Sequence, residues 1–250
     1  MRLRLTVAYD GRPFRGYATQ VEGLTVQDAL ENALGEILKT PLRVHHAGRT
    51  DAGVHALGQI VHFDAPSESN MNPLNYLAAL NTKLPSSIRI LDCEEVAPDF
   101  HARFSSTSKH YQYRLDLSPI LSPFQAGLAW HLPRQLDPAT LAEALSYFEG
   151  EHDFRHLSAR RGNETDDTNY RRHITRAELS CDGPNHILDF EGNGFLYKMV
   201  RLLTGTAVQA AQGRLRLDQV ASFLDETTPP DRPAHCAPPD GLTLVEVKYE

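Results

Sequence analysis

The sequence predicts an α+β fold built from two tandem split-βαβ halves, residues 1–105 and 106–250. In each half, segments with strand-like alternation and segments with helical spacing follow the order β-α-β-β-α-β. Capping residues support this order, because Thr25, Asn72 and Asp137 each stand directly before a helical pattern. We expect the two sheets to join into one continuous, mostly antiparallel sheet with helices on one face.

The elements of the first half follow from local patterns. The first strand is indicated by apolar residues that alternate with polar or small ones: Leu3, Leu5, Val7 and Tyr9. Thr25 and Asp28 form a variant capping box at the start of a helix that Pro41 closes. The remaining predicted elements are strands over 43–46 and 59–64 around a glycine-rich loop, a helix over 73–83 and a strand over 88–96.

The second half repeats the order without repeating the residues. Strands are predicted over 110–117, 174–181, 186–191 and 242–249, and helices over 138–148, 196–211 and 217–224. The turn Asp182-Gly183-Pro184-Asn185 joins two of these strands into a hairpin. Residues 227–241 contain five prolines and are predicted to be a loop.

Composition is that of an ordinary globular protein, with 41% hydrophobic and 23% charged residues. The first seven residues alternate polar and apolar side chains, unlike the continuous apolar core of a signal peptide, and no segment is long and apolar enough to span a membrane. Cys93, Cys181 and Cys236 lie far apart without a CxxC spacing, which is typical of reduced thiols in a cytoplasmic protein.

The net charge of −7, from 25 basic against 32 acidic residues, argues against a polyanionic partner. The distribution of charge is less one-sided. Residues 195–217 contain four basic residues and no acid, residues 155–176 contain six arginines, and residues 1–16 contain four. These clusters are either phosphate-binding surfaces or ordinary solvated faces.

The segment Ala47-Gly48-Arg49-Thr50-Asp51-Ala52-Gly53-Val54-His55-Ala56 carries the strongest chemical signal. Two glycines frame an arginine and an aspartate in a loop between predicted strands, where glycine permits close approach of a ligand. An aspartate near an arginine stays ionised and could act as a nucleophile or as an electrostatic stabiliser. The alternative is a structural ion pair within a turn.

This ten-residue run resembles the signature of the TruA family of tRNA pseudouridine synthases. Further blocks resemble that family in the same order along the chain and cover nearly its whole length: Gly58 to Asp64, Asp99 to Ser105, Gly150 to Phe154, Asn193 to Arg201 and Gly241 to Val245. One departure is Gly16-Tyr17-Ala18, where the family often has Gly-Trp-Gln, which puts an RNA contact from this turn in doubt.

The resemblance assigns roles to individual residues. It implies that Asp51 is the catalytic carboxylate, that Arg49 helps to extrude the target base, and that Tyr111 stacks on the uracil. It further implies that Arg201 pairs with the catalytic carboxylate and that Leu242 lines the pocket. Tyr113, two residues after Tyr111, is expected to be structural and to face the other side of its strand.

The resemblance also implies a reaction. Uridine would leave its stack, and the Asp51 carboxylate would attack C1′ or the base, or assist deprotonation of the sugar. The mechanism needs no cofactor and no metal. The implied substrate is tRNA, modified in the anticodon arm at about positions 38–40, and the implied assembly is a homodimer whose basic clusters surround one cleft.

Three other classes of function are weighed as alternatives. A non-catalytic RNA-binding module would share the topology of ferredoxin-like and RNA-recognition domains, but the chain lacks their Lys/Arg-Gly-Phe motif. A metal hydrolase could use His46, His55, His62 and His101, whose spacings fit neither HExxH nor HxH. A retaining glycosidase would need a second carboxylate with a signature of its own.

Overall fold

The computed structural model describes residues 1–133, 136–162 and 164–250, which form two compact units. The first unit contains residues 1–107 and 243–250, and the second contains residues 108–242. The strands are β1 (Arg2–Tyr9), β2 (His45–His46), β3 (His55–Asp64), β4 (Ile88–Val96), β5 (Ser106–Asp116), β6 (Trp130–His131), β7 (Gly150–Asp153), β8 (Arg171–Asp182), β9 (Asn185–Gly192) and β10 (Leu242–Tyr249). The helices are α1 (Val26–Leu38), α2 (Pro73–Lys83), α3 (Pro138–Ser146), α4 (Met199–Ala211) and α5 (Leu217–Ser222).

In the first unit, β1 lies between β3 and β4 and is antiparallel to both. The short strand β2 pairs antiparallel with the later part of β3, which completes the order β4-β1-β3-β2 of a split-βαβ unit. β10 pairs in parallel with the start of β3, at Thr243 opposite His55 and Leu244 opposite Ala56. Leu3, Leu5 and Val7 of β1 are completely buried, as their alternation predicts.

The helices of the first unit begin where their caps predict. The Thr25 hydroxyl accepts a hydrogen bond from the Asp28 backbone N–H at 3.1 Å, and Asn72 accepts one from Asn75 at 2.9 Å. α1 buries a stripe at helical spacing that includes Val26, Leu30 and Leu34. A buried apolar stripe and a satisfied N-terminus explain why the chain is helical here.

The second unit contains an antiparallel sheet in the order β5-β9-β8-β7, with β6 pairing in parallel with β5. α4 contacts α3 and α5 and is buried on most of its sides. The predicted α+β class with mostly antiparallel sheets is therefore confirmed. None of the helices in the described parts of the chain has the length and apolarity needed to cross a bilayer.

Several boundaries differ from the prediction. β3 begins at His55 rather than Gln59, and α4 begins at Met199 rather than Leu196 because Lys198 adopts a left-handed conformation, with φ of +58°. The short strands β6 and β7 were not predicted. β7 consists of Gly150-Glu151-His152-Asp153 and has no apolar alternation, so its pairing with β8 is visible only in three dimensions.

Candidate active site

Residues 47–54 of the first unit, here called the Asp51 loop, connect β2 to β3. Ala47 donates its backbone N–H to the Ile60 carbonyl at 2.8 Å, and the Gln59 side-chain amide donates to the Gly48 carbonyl at 2.7 Å. A turn follows, in which the Val54 N–H donates to the Asp51 carbonyl at 3.1 Å. Arg49 is exposed and Asp51 half-buried, so the loop presents both side chains near the surface of the unit.

A second turn, residues 11–17, lies directly against the Asp51 loop. A Cβ atom on Gly11 would come within 2.1 Å of the Val54 carbonyl oxygen. Gly16 has a φ of +98°, and a Cβ there would lie 2.9 Å from the Thr50 carbonyl oxygen. Larger residues at these two positions would therefore displace the Asp51 loop.

Thr50 joins the two turns through both its backbone and its side chain. Its carbonyl accepts a hydrogen bond from the Tyr17 N–H at 3.0 Å, and its hydroxyl lies 2.8 Å from the Tyr9 hydroxyl. Both hydroxyls are buried, and burial raises the pKa of Tyr9 to about 12. The residue before Asp51 is thereby fixed from the protein interior.

Tyr17, the departure from the family pattern, is a core residue of the first unit. Its side chain is completely buried, with its ring centroid 4.7 Å from that of His46 and 6.3 Å from that of Tyr9. Among the described residues its hydroxyl has no hydrogen-bond partner. The side chain supports the Asp51 loop from behind and is not available for contact with RNA.

In the second unit, Tyr111 lies on β5 and is 7% exposed. Its ring meets the Phe195 ring edge-on, with the centroids 5.1 Å apart, and Phe190 lies opposite it on β9. Tyr113 is also buried, and the expectation that it faces the other side of the strand is wrong. Residues two apart in a strand share a face, because side chains alternate with a period of two.

Arg201 lies on α4 against residues 235–242, here called the return segment. Its Nε donates a hydrogen bond to the Ala237 carbonyl at 2.8 Å, and the Ala237 N–H donates to the Arg201 carbonyl at 3.0 Å. A Cβ on Gly205, one turn later, would lie 2.0 Å from the His235 carbonyl oxygen. The close contact between helix and segment fixes the direction of the arginine side chain.

The return segment also contacts β5 and leads to Leu242. The Tyr113 hydroxyl donates to the Pro238 carbonyl at 2.6 Å, and burial raises the pKa of this tyrosine despite the nearby Arg201 charge. A Cβ on Gly241 would lie 2.5 Å from the Arg114 carbonyl oxygen. Leu242 is 6% exposed and follows directly. The return segment thus links two predicted site positions of the second unit, Arg201 on α4 and Leu242 at its own end, and packs against β5, the strand that carries Tyr111.

Most arginines of the predicted basic clusters take part in ion pairs. In the first unit all four N-terminal arginines do so, in the pairs Arg2–Asp64, Arg4–Glu94, Arg12–Asp10 and Arg15–Glu22. In the second unit the corresponding pairs are Arg155–Asp153, Arg171–Glu226, Arg176–Glu178 and Arg216–Asp218. The counts of basic residues in the sequence therefore overstate the charge that remains for a ligand.

The four histidines considered as metal ligands have other surroundings. His55 accepts a hydrogen bond from the Gly11 N–H at 3.2 Å, and the His46 ring packs on Tyr17. The His62 and His101 rings meet edge-on, with their centroids 4.8 Å apart. Within the described ranges, no three His, Cys, Asp or Glu side chains are grouped so that they could hold a metal ion.

Comparisons with known proteins identify the family. A family model described as tRNA pseudouridine synthase matches residues 5–105 and 144–250. The tRNA pseudouridine synthase A of Akkermansia muciniphila is 49% identical over 99% of this chain and 95% of its own length. The corresponding proteins of Exiguobacterium sibiricum and Streptococcus gordonii are 40% and 37% identical, again over nearly full length.

The chain belongs to the tRNA pseudouridine synthase family. As a member of this family it is an isomerase that modifies tRNA, which confirms the enzyme class and the substrate class expected from the sequence. A non-catalytic RNA-binding module is no longer needed to explain the topology.

The sequence did not indicate the residues that support the candidate site of this pseudouridine synthase. Tyr9 and Gln59 hold the Asp51 loop, Phe195 packs on Tyr111, and Ala237 binds Arg201 through its carbonyl group. Phe195 and Gln59 lie within the blocks that resemble the family. Membership of these blocks is the only feature of the sequence that points to them. Ala237 acts through its backbone, so its side chain gives no such indication.

Proposed function

We propose that this pseudouridine synthase isomerises uridines in the anticodon arm of tRNA, at about positions 38–40, with the Asp51 carboxylate as the nucleophile. The observation that carries the proposal is the Asp51 loop itself. Hydrogen bonds to Gly48 and Thr50, and the bond from the Val54 N–H to the Asp51 carbonyl, fix the backbone, while the Asp51 side chain is half-buried. A carboxylate held in this way is suited to attack on a base or a ribose that has left its helix.

The reaction conserves all atoms of the nucleotide. The target uridine is flipped out of its stack, and Arg49, exposed on the Asp51 loop, assists this extrusion. Asp51 attacks C1′ or the uracil ring, and the C1′–N1 bond breaks. The uracil turns and forms a C1′–C5 bond, after which C5 loses its proton, N1 is protonated and Asp51 is released.

Three residues of the second unit are proposed to assist. Tyr111 stacks on the uracil, a role that its edge-on contact with Phe195 supports because the ring is held in one orientation. Arg201 pairs with the Asp51 carboxylate, and Leu242 contributes apolar surface to the pocket. The bond from Arg201 Nε to Ala237 orients the guanidinium for this task.

We further propose that the enzyme acts as a homodimer in the cytoplasm, where its tRNA substrates are found. The charge distribution supports a dimer, because a chain of net charge −7 with many paired arginines gains from bringing two basic surfaces around one RNA.

The experiment that tests the proposed position uses unmodified tRNA transcripts, incubated with the purified enzyme and mapped chemically for pseudouridine. Signals are expected only at uridines of positions 38–40. Transcripts with cytidine at these positions are the matched control and should stay unmodified. Pseudouridine confined to another arm of the tRNA would contradict the proposal.

A further inference from the structure

Thr50, the residue before Asp51, is held through both its side chain and its backbone. It is 8% exposed, and its hydroxyl lies 2.8 Å from the Tyr9 hydroxyl in the interior of the first unit. Its carbonyl accepts the Tyr17 N–H at 3.0 Å. Side chain and backbone of one residue are thus anchored to different segments, β1 and the turn over residues 11–17.

Tyr9 is suited to serve as a fixed anchor. It is the last residue of β1 and 5% exposed, so its ring has little freedom to move. Burial raises its pKa to about 12, while the hydrogen bond with Thr50 acts in the opposite direction. The phenol therefore stays protonated at neutral pH and can serve continuously as a hydrogen-bond donor.

Gln59 holds a second residue that precedes Asp51. Its side chain is completely buried on β3, and its Nε2 donates to the Gly48 carbonyl at 2.7 Å. The Tyr9–Thr50 and Gln59–Gly48 hydrogen bonds fix residues 50 and 48 relative to the sheet. Both bonds resist breakage, because breaking either one leaves buried polar atoms without partners.

We infer that the buried hydroxyl pair Tyr9–Thr50 positions the Asp51 carboxylate for attack, so that both residues are positioning residues of the reaction. The inference rests on the proposed role of Asp51. Neither hydroxyl takes part in the chemistry. Loss of the pair lets the loop shift, and a displacement of about 1 Å can cost roughly a hundredfold in rate without weakening substrate binding.

The test compares Tyr9→Phe, Thr50→Val and the double variant in steady-state assays with unmodified tRNA. Each single change is expected to lower kcat by roughly ten- to a hundredfold and to leave KM within about twofold. The double variant should be no slower than the slower single variant, because the two hydroxyls act as one unit. Thr50→Ser keeps the hydroxyl and is expected to restore most of kcat.

Tyr76→Phe is the matched control in the same unit. Tyr76 belongs to α2 rather than to the Asp51 loop. It is also completely buried, and its hydroxyl lies 2.7 Å from the Ser69 hydroxyl. This variant should lose a similar amount of stability while keeping the wild-type kcat. An equal loss of kcat in Tyr76→Phe would overturn the inference, since the effect would then be one of general destabilisation.

The Asp51→Asn variant separates this inference from the proposed function. If Asp51→Asn is inactive while folded Tyr9→Phe and Thr50→Val keep kcat within about twofold of wild type, the positioning role is refuted and the proposed function stands. If Asp51→Asn is itself active, the proposed function fails. Should Tyr9→Phe fail to fold, the comparison of kcat for Thr50→Val and Thr50→Ser decides alone whether the Thr50 hydroxyl positions Asp51.

Discussion

Tyr111 has two parts that could serve different steps of the reaction. Its ring, held by Phe195, can stack on the uracil, which contributes roughly 1–3 kcal/mol per base. Its phenolic oxygen could take the C5 proton at the end of the reaction, which no other part of the side chain can do. Stacking requires only the ring and proton removal requires the oxygen, so substitutions can separate the two roles.

Tyr111→Phe keeps the ring and removes the oxygen. We expect this variant to bind tRNA with wild-type affinity but to form no finished pseudouridine, whereas Tyr111→Ala should lose both binding and turnover. Filter binding and chemical mapping of the same preparations measure the two quantities. Near-normal product from the Phe variant would show that stacking is the whole role and that another group removes the proton.

At the level of single residues, the sequence indicates a role only where the residue type and its neighbours point to a particular chemistry. The glycines around Asp51 and the resemblance indicate it as the candidate carboxylate, and its half-buried side chain is that of a residue in a loop near the surface. The hydrogen bond between Tyr9 and Thr50 could not be found, because alternation along β1 assigns Tyr9 only to the core face. The partner lies 41 residues away, and its identity depends on how the two turns meet.

The helix starts were predictable because a cap is a local interaction. Thr25 with Asp28, and Asn72 with Asn75, are three residues apart in sequence and bonded in the structure. β7 and β10 were harder to place, since pairing joins residues far apart along the chain. The predicted bounds of β10 are those observed, yet no pattern along the chain indicates that it pairs with the start of β3 in the first unit.

His45, His62 and His101 form a cluster that joins β2 and β3 to the segment before β5. The His45 ring stacks on His62 at 4.9 Å, and the Ala102 N–H donates to His62 Nδ1 at 3.2 Å. Burial, reinforced by the neighbouring His101 and His45, lowers the pKa of His62 to about 4. The folded first unit therefore holds this imidazole neutral.

The cluster predicts a loss of stability in mild acid. The unfolded chain binds a proton at His62 near pH 6.5, whereas the folded chain does so only near pH 4, so stability declines as the pH falls through this window. Between pH 7 and pH 5 we expect protonation at His62 to lower the free energy of unfolding by about 1–2 kcal/mol. Thermal melts at the two pH values measure this loss.

His62→Asn should flatten this pH dependence, since asparagine keeps a hydrogen-bond acceptor and does not titrate. His173→Asn, at an exposed histidine of the second unit, is the control and should leave the dependence unchanged. Equal pH profiles for wild type and His62→Asn would show that protonation of His62 is not coupled to folding.

At the scale of the whole molecule, the net charge of −7 has to be reconciled with a tRNA substrate. Ion pairs account for many of the arginines that the sequence suggested for RNA binding, Arg216 with Asp218 among them. Arg214, two residues earlier, is exposed in the turn that follows α4, and no acidic residue lies between residues 195 and 217. The sequence counts charges but cannot show which of them are paired.

We expect tRNA affinity to fall steeply with salt, because binding of phosphates by basic side chains releases counterions. Arg214→Glu should weaken the binding of all tRNA substrates about equally and reduce the salt slope by about 1. Arg216→Glu is the matched control and should weaken binding less, since its guanidinium is already paired. Binding that does not depend on salt would indicate a surface dominated by base stacking.

The central claim is that the Asp51 carboxylate carries out the isomerisation. The most direct measurement is chemical mapping of pseudouridine in tRNA transcripts treated with Asp51→Asn, which keeps the shape of the side chain and removes its charge. Asp64→Asn, at an exposed carboxylate paired with Arg2 in the same unit, is the control. The account predicts no pseudouridine and intact tRNA binding for Asp51→Asn, with wild-type product for Asp64→Asn; appreciable pseudouridine from Asp51→Asn would contradict it.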